Sequence, residues 1–232
     1  MMDYSKQALL IGVEEQESLL NKTVCIVGVG GTGSAAASLL ARSGLNLVLV
    51  DGDILERSNV YRQVLYTEGD VGKKKVLAAK ESLQAVNPGV KVEAHPVFLN
   101  EDNARGLVKG DVLVDCTDNM DTRKWVNEVC YGKIPWVFCS AAEYSGMMMP
   151  FSARGKPCFR CVFGKGVLNK PSGGSGVLAP VPATVGGIAA TEALKVLVGK
   201  ADFGKLYHYD FMKNRMDVLE VEADKKCGVC GE

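Results

Sequence analysis

Short apolar runs, each stopped by Gly, Asp or Asn, alternate along the first part of the chain with longer mixed stretches. Residues 23–27 (Thr-Val-Cys-Ile-Val) end in glycines, which predicts a strand buried on both faces. A helix is expected before them, over residues 13–20, and an Ala- and Leu-rich helix after them, over 34–43. Residues 45–50 read as a second buried strand closed by Asp51. Residues 72–86 read as a helix stopped by Asn87-Pro88-Gly89. Strands are expected at 90–98, 111–115 and 136–140, with a helix at 121–131 between the last two. This alternation predicts an α/β fold with a parallel, doubly wound sheet.

The pattern changes beyond residue 142. Residues 143–153 and 206–222 read as antiparallel strands, separated by a glycine-rich loop at 170–181 and a helix at 183–198. The parallel first half is thus expected to be extended by antiparallel strands. No repeat, low-complexity tract or clean linker interrupts the chain, so residues 1–232 are read as a single domain.

Charge narrows the choice of partners. Twenty-seven basic residues balance 27 acidic ones, which leaves no field to steer nucleic acid or a membrane surface. The first residues are polar and no apolar run reaches the roughly 18 residues a span needs. A cytoplasmic protein without nucleic-acid or membrane partners is expected.

Eight cysteines in such a chain argue for reduced thiols and metal binding. Cys158-Phe159-Arg160-Cys161 and Cys227-Gly228-Val229-Cys230 form two C-x-x-C pairs. Four thiolates suit a closed, structural tetrahedral Zn2+ site that would tie the C-terminal segment to the middle of the chain. A redox C-x-x-C is the alternative. Cys25, Cys116, Cys130 and Cys139 are expected to be core thiols, and His95 and His208 to have packing or surface roles.

Gly28, Gly30, Gly31 and Gly33 lie between the first strand and the helix that follows. Glycine there permits a tight turn and close backbone approach to phosphate, and the helix N-terminus favours the anion. Asp51, 18 residues past Gly33, closes the next strand, where a carboxylate can accept from ribose hydroxyls. This Rossmann-like pattern alone does not separate NAD from ATP. Asp53, Asn59, Arg62 and Gln63 follow, and Lys73, Lys74 and Lys75 open the next predicted helix. A guanidinium and an ammonium beside a triphosphate would hold its charge. Asp118, past the fourth strand, is a candidate Mg2+ ligand. Charged loop residues are more often simply solvated. An NAD-dependent oxidoreductase would explain the glycines and Asp51, but not Arg62, Lys75 or the cysteine pairs. The retained Arg62, Lys75 and Asp118 argue against a non-catalytic scaffold.

Tyr4-Ser5-Lys6-Gln7, the 28–33 loop, Asp51-Gly52-Asp53, Ser58-Asn59-Val60-Tyr61-Arg62-Gln63, Val71-Gly72-Lys73-Lys74-Lys75, Asp115-Cys116-Thr117-Asp118-Asn119 and both cysteine pairs occur in this order. In this the chain resembles the ubiquitin-activating-enzyme-like adenylating superfamily of the ThiF/MoeB/HesA type, over nearly its whole length. The resemblance implies a homodimer in which ATP and Mg2+ adenylate a carboxylate with release of pyrophosphate. The substrate is then the C-terminal glycine of a ubiquitin-like sulfur carrier or a small-molecule carboxylate, such as the guanylylpyridinol precursor of a methanogen hydrogenase cofactor. It implies Asp51 on the ribose, Asn59, Arg62 and Lys75 on the triphosphate and in catalysis, and Asp118 near Mg2+. Lys6 stands where the family usually carries an arginine that reaches the partner subunit's ATP; it keeps the charge without the bidentate fork. Many members carry a cysteine in the crossover loop. Residues 170–180 have none, and Ser172 stands about where it would be.

Overall fold

A computed structural model describes residues 2–164 and 176–231. Its frame is one eight-stranded sheet in the order β3-β2-β1-β4-β5-β6-β7-β8. Strands β1 (Thr23–Val27), β2 (Asn46–Val50), β3 (Val92–His95), β4 (Val112–Asp115) and β5 (Trp136–Ala142) run parallel. β6 (Ser145–Phe151), β7 (Lys205–Asp210) and β8 (Arg215–Glu220) continue the sheet antiparallel. The expected parallel half and its antiparallel extension are both present. The stretch 206–222 is a hairpin of two strands rather than one, because Phe211–Asn214 turn the chain, with Asn214 at positive φ.

Helices cover both faces, as a sheet apolar on both sides requires. On one face lie α3 (Gly31–Arg42), α5 (Lys75–Val86) and α9 (Pro180–Leu197), packed on Ile26, Leu47, Leu49, Val114 and Val137. On the other lie α6 (Glu101–Leu107), α7 (Met120–Cys130) and α8 (Phe159–Phe163), packed on Cys25, Val48, Leu113 and Phe138. The alternation of these residues along each strand is the period-two pleat. α3 and α9 cross closely because their contact is built from Ala36, Ala37, Ala189 and Ala190 with Gly186. A Cβ on Gly186 would stand 2.4 Å from the Thr32 carbonyl oxygen, so only glycine permits this crossing.

Several boundaries differ from the sequence expectation. The helix expected at 13–20 is α2 (Val13–Leu19), and a further helix, α1 (Ser5–Ile11), precedes it, separated by Gly12 at φ 106°. α3 starts three residues before position 34, inside the glycine stretch. α5 starts at Lys75 rather than 72, because Lys74 is still extended. β3 is shorter than 90–98. The short helices α4 (Arg57–Val60), α6 and α8 were not expected from periodicity. α6 starts on a local cap, the Asn100 side chain accepting from the Asp102 and Asn103 amides. Among the described residues, no helix is long and apolar enough to cross a membrane.

Candidate active site

β1 lies between β2 and β4, so the chain reverses its direction of winding there. In an open α/β sheet this opens a crevice at the carboxyl ends of the two strands. A cleft of about 340 Å³ occupies this place. Gly28, Gly30, Gly31, Asp51, Asp53, Arg62, Gln63, Lys75 and Asp118 all line it, although the sequence spreads them over 90 positions.

The glycine turn is shaped by close approach. Gly28 has φ 84°, and a Cβ there would stand 2.9 Å from the Cys116 carbonyl oxygen. Gly33 does not line the cleft; a Cβ on it would collide with the Gly28 carbonyl, so it lets α3 sit tightly behind the turn. Gly30 faces open space, the nearest atom to a Cβ being Gln63 Nε2 at 3.7 Å. It precedes α3, whose first turn has no side-chain cap and no acidic residue. Uncapped amides and the positive end of a twelve-residue helix therefore face the cleft, an arrangement that suits phosphate. Buried Tyr66 holds the turn from behind, donating to the Val29 carbonyl at 2.7 Å.

Asp51 is fixed by two backbone donors, Val29 N–H to Oδ2 and Asp53 N–H to Oδ1, both at 2.8 Å. Burial raises its pKa, while these two N–H groups and the Lys75 charge oppose the rise. Each oxygen has a second lone pair for a hydroxyl donor. Of three consecutive lysines, only Lys75 reaches the cleft. Lys73 pairs outward with Asp70 and Glu81, and Lys74 donates to the Gly52 carbonyl. Lys75 has only 8% of its side chain exposed and holds Asp53 Oδ2 at 2.7 Å. A cation buried so deeply needs a partner, and Asp53 supplies it.

Arg62 stands beside the turn, with Nη1 donating to the Ser58 carbonyl at 2.9 Å and its guanidinium 5.4 Å from the Tyr61 ring centre. Gln63 is buried, and its Oε1 has no hydrogen-bond partner. An unpaired buried acceptor on a cleft wall is suited to a donor from a ligand. Asn59 does not line the cleft. Its Oδ1 accepts from the Glu56 amide, and its carbonyl accepts from the amides of Arg62 and Gln63. In this conformation Asn59 shapes the segment that carries Arg62 and Gln63. Lys6 is exposed on α1 and lies outside this chain's cleft.

The loop after β4 brings Asp118 and Asn119 to the cleft. It rests on a buried pair that sequence reasoning missed, Asp115 and Arg123. Arg123 Nε lies 3.4 Å from Asp115 Oδ2, an ion pair without good hydrogen-bond geometry. Burial raises the Asp115 pKa and the Arg123 charge opposes it. Asp115 Oδ1 accepts from the Thr117 amide and hydroxyl, and Arg123 Nη2 donates to the Thr117 carbonyl. The signal available in the sequence was an arginine on an otherwise buried helix face.

Thr32, Phe98, Asn119, Thr122, Ser140 and Pro182 also line the cleft. Apart from Thr32 and Asn119, which belong to the 28–33 and 115–119 motifs, they carry no motif and arrive only through folding. Cys116 and Cys139, expected as core thiols, line it too. Cys116 is not in a strand; it follows β4 and stays partly exposed. Ser172, the residue in place of a crossover cysteine, lies outside the described residues.

The second centre is the cysteine clasp. Cys158, Cys161, Cys227 and Cys230 bring four sulfurs within 4.8 Å of one another. Cys158 and Cys227 are 3.5 Å apart, and Cys161 and Cys230 are 3.3 Å apart. Bonds of about 2.3 Å to a tetrahedral Zn2+ place sulfurs roughly 3.8 Å from each other, so the set fits zinc closely. The Asp224 amide donates to Cys161 Sγ, the kind of contact that supports a thiolate ligand. No position is left for water or substrate, which makes the site structural.

Fold and cleft together define a nucleotide-binding α/β protein with a phosphate cradle walled by two cations. The ThiF family model matches residues 4–229, and the chain belongs to that family. A sulfur carrier protein adenylyltransferase of Thermus thermophilus is 40% identical, over 99% of this chain and 90% of that protein. A molybdopterin-synthase adenylyltransferase of Escherichia coli is 35% identical, over 100% and 97%. Among solved structures, Escherichia coli MccB with succinimide superposes with TM-score 0.86 at 25% identity, over 98% of this chain and 74% of that one. The chain is an adenylyltransferase, and its reaction is ATP-dependent adenylation of a carboxylate.

Proposed function

We propose that the chain activates the C-terminal glycine of a small ubiquitin-like carrier protein, acting as one adenylating domain over residues 1–232. The observation that carries this reading is the uncapped glycine turn facing Lys75 and Arg62 across the cleft. The 40% identity to a sulfur carrier protein adenylyltransferase supports the carrier as substrate.

The chemistry needs little from a general base, because a carboxylate is already ionised at neutral pH. A carboxylate oxygen attacks the α-phosphorus of ATP, and the bond to pyrophosphate breaks. Asp51 holds the ribose hydroxyls. The amides at the start of α3 take phosphate oxygens. Lys75 and Arg62 stabilise the charge that grows on the leaving group, and Asn59 keeps the Arg62–Gln63 segment in place. Asp118 is the carboxylate for Mg2+, which, when bound, supplies further charge neutralisation. Mg2+ characteristically takes one or two carboxylates with substrate phosphates, so a single aspartate in the cleft suffices. Catalysis is mainly positioning and electrostatics. Zn2+ in the clasp has no part in the chemistry.

Lys6, exposed on α1, fits a homodimer in which it completes the partner subunit's ATP site. The cysteine-free stretch 170–180 favours a reaction that stops at the acyl-adenylate, and it keeps a second reading in play, a small-molecule carboxylate such as a guanylylpyridinol.

ATP–pyrophosphate exchange against a panel of carriers and small carboxylates tests the proposal. Exchange is expected with a carrier ending in glycine and not with the same carrier shortened by that residue. Exchange with a small carboxylate and with no carrier would replace the first reading by the second. A substrate adduct on a serine of 170–180 would refute the stop at the adenylate.

A further inference from the structure

We infer that Cys116 and Cys139 form a thiol modification site in the floor of the nucleotide cleft, where oxidation to a disulfide weakens ATP binding by pulling the Asp118 loop off the glycine turn. The inference rests on the reading of this cleft as the ATP site. The two sulfurs are 3.5 Å apart, and both residues line the cleft. They lie one residue beyond the Asp115–Phe138 register pair of the parallel strands β4 and β5. Neighbouring strands run about 4.8 Å apart, inside the Cα range of roughly 4.4–6.8 Å that a disulfide spans. The thiols are already in contact, and a small shift of the chain just past β4 joins them. Cys116 is partly exposed and gives an oxidant its way in, whereas Cys139 is fully buried behind it.

This pair is unlike the other cysteines. Cys25 and Cys130 are buried away from the cleft. The four clasp cysteines have the spacing of metal ligands. Hydrogen bonding to Cys139 and burial hold the Cys116 thiol well above its ordinary range. It is therefore a poor acceptor for an activated acyl group, and it is oxidised slowly. With hydrogen peroxide as oxidant, the Cys116 sulfur attacks one peroxide oxygen and the O–O bond breaks. Hydroxide leaves and takes the thiol proton as water, and Cys116 becomes a sulfenic acid. The Cys139 sulfur then attacks the Cys116 sulfur, the S–O bond breaks, and a second water leaves with the Cys139 proton. Two thiols are oxidised and one peroxide is reduced to two waters.

The consequence for ATP follows from the packing. The Cys116 carbonyl oxygen and the Thr117 amide nitrogen lie 2.9 Å and 3.2 Å from the place of a Cβ on Gly28. The Cys116 Cβ lies 3.2 Å from the place of one on Gly33. Closing the sulfurs to about 2.05 Å draws Cys116 toward β5. This moves Cys116 away from the glycine turn, which follows β1 on the other side of β4, and takes with it the loop that carries Asp118, two residues further on. The bond also removes the hydrogen bond from Cys139 Sγ to the Asp115 carbonyl, now 3.1 Å.

The test uses zinc-loaded, full-length protein treated with hydrogen peroxide, with and without excess ATP. Disulfide mapping by mass spectrometry, binding of a fluorescent ATP analogue and zinc release are followed together. The expected result is a Cys116–Cys139 bridge formed more slowly under ATP. Binding of the analogue should weaken at least tenfold and recover with a thiol reductant, before zinc is released. In Cys139→Ala and Cys116→Ser chains, each compared with its own reduced state, that loss should be absent. A loss of binding that tracks zinc release and is equal in Cys139→Ala would overturn the inference. So would a bridge that leaves affinity unchanged, or no bridge at all. If the reduced protein binds no ATP analogue, the reading of the cleft fails while the bridge is still decided by mapping.

Discussion

The two ends of β5 meet different demands. At its start, Trp136 stacks on Phe151 with ring centres 4.7 Å apart, and Phe159 of α8 closes over both. Cys158 and Cys161 flank Phe159, so the clasp anchors the C-terminal segment to this aromatic block. At its end, residues 139–142 line the nucleotide cleft, with a cation held by one carboxylate and an acceptor left unpaired. The first region satisfies its groups internally and serves the fold. The second leaves donors, acceptors and space for a ligand. What separates them is whether the polar groups are already paired, since leaving buried groups unpaired costs stability and is retained where a ligand completes them.

That division can be broken most directly at the clasp. Cys227→Ser should cost roughly 3–5 kcal/mol of stability and abolish stoichiometric zinc, read by thermal unfolding and elemental analysis. The folded fraction should keep its ATP affinity. A parallel collapse of ATP binding in folded protein would join the two regions into one. Next in size, Lys75→Ala should slow pyrophosphate exchange about a hundred- to a thousandfold while leaving zinc in place. An exchange rate within a few-fold of the parent would remove Lys75 from the chemistry. Asp51→Ala should weaken ATP binding by about ten- to a hundredfold, as expected for a hydrogen bond to a charged acceptor. Calorimetry showing unchanged ATP affinity would take Asp51 off the ribose.

A smaller effect sharpens the comparison beyond one chain. If Lys6 serves the partner subunit, mixing Lys6→Ala with Arg62→Ala chains restores about half of the sites in each mixed dimer, since one cleft then has both residues. Verified mixed dimers without recovered exchange would confine the site to a single chain.

Much of this was legible in the residues because the chemistry is local. Gly28 to Gly33, Asp51 and the two C-x-x-C pairs announce a phosphate turn, a strand-end carboxylate and a four-thiolate centre by type and spacing. The alternation of apolar runs likewise set out five parallel strands. Lys73, Lys74 and Lys75 could not be told apart in this way. Their difference arises where α5 begins, which depends on the Gly72 and Lys73 backbone bonding to Leu55 and on the Lys75 amide donating to the Asp53 carbonyl across a loop. Asn59, placed in the triphosphate set by the resemblance, caps α4 in this conformation, which its residue type alone did not show. Cys139 is the core thiol expected and Cys116 packs against the same core, but the fold also brings the two together at the cleft, because two strands 23 residues apart in sequence lie side by side in the sheet. The sequence by itself determined which chemical groups the protein has and the local turns that a few residues enforce. Only the tertiary structure decided which of those groups share one cleft, because side-chain direction and partner are settled by packing between distant segments.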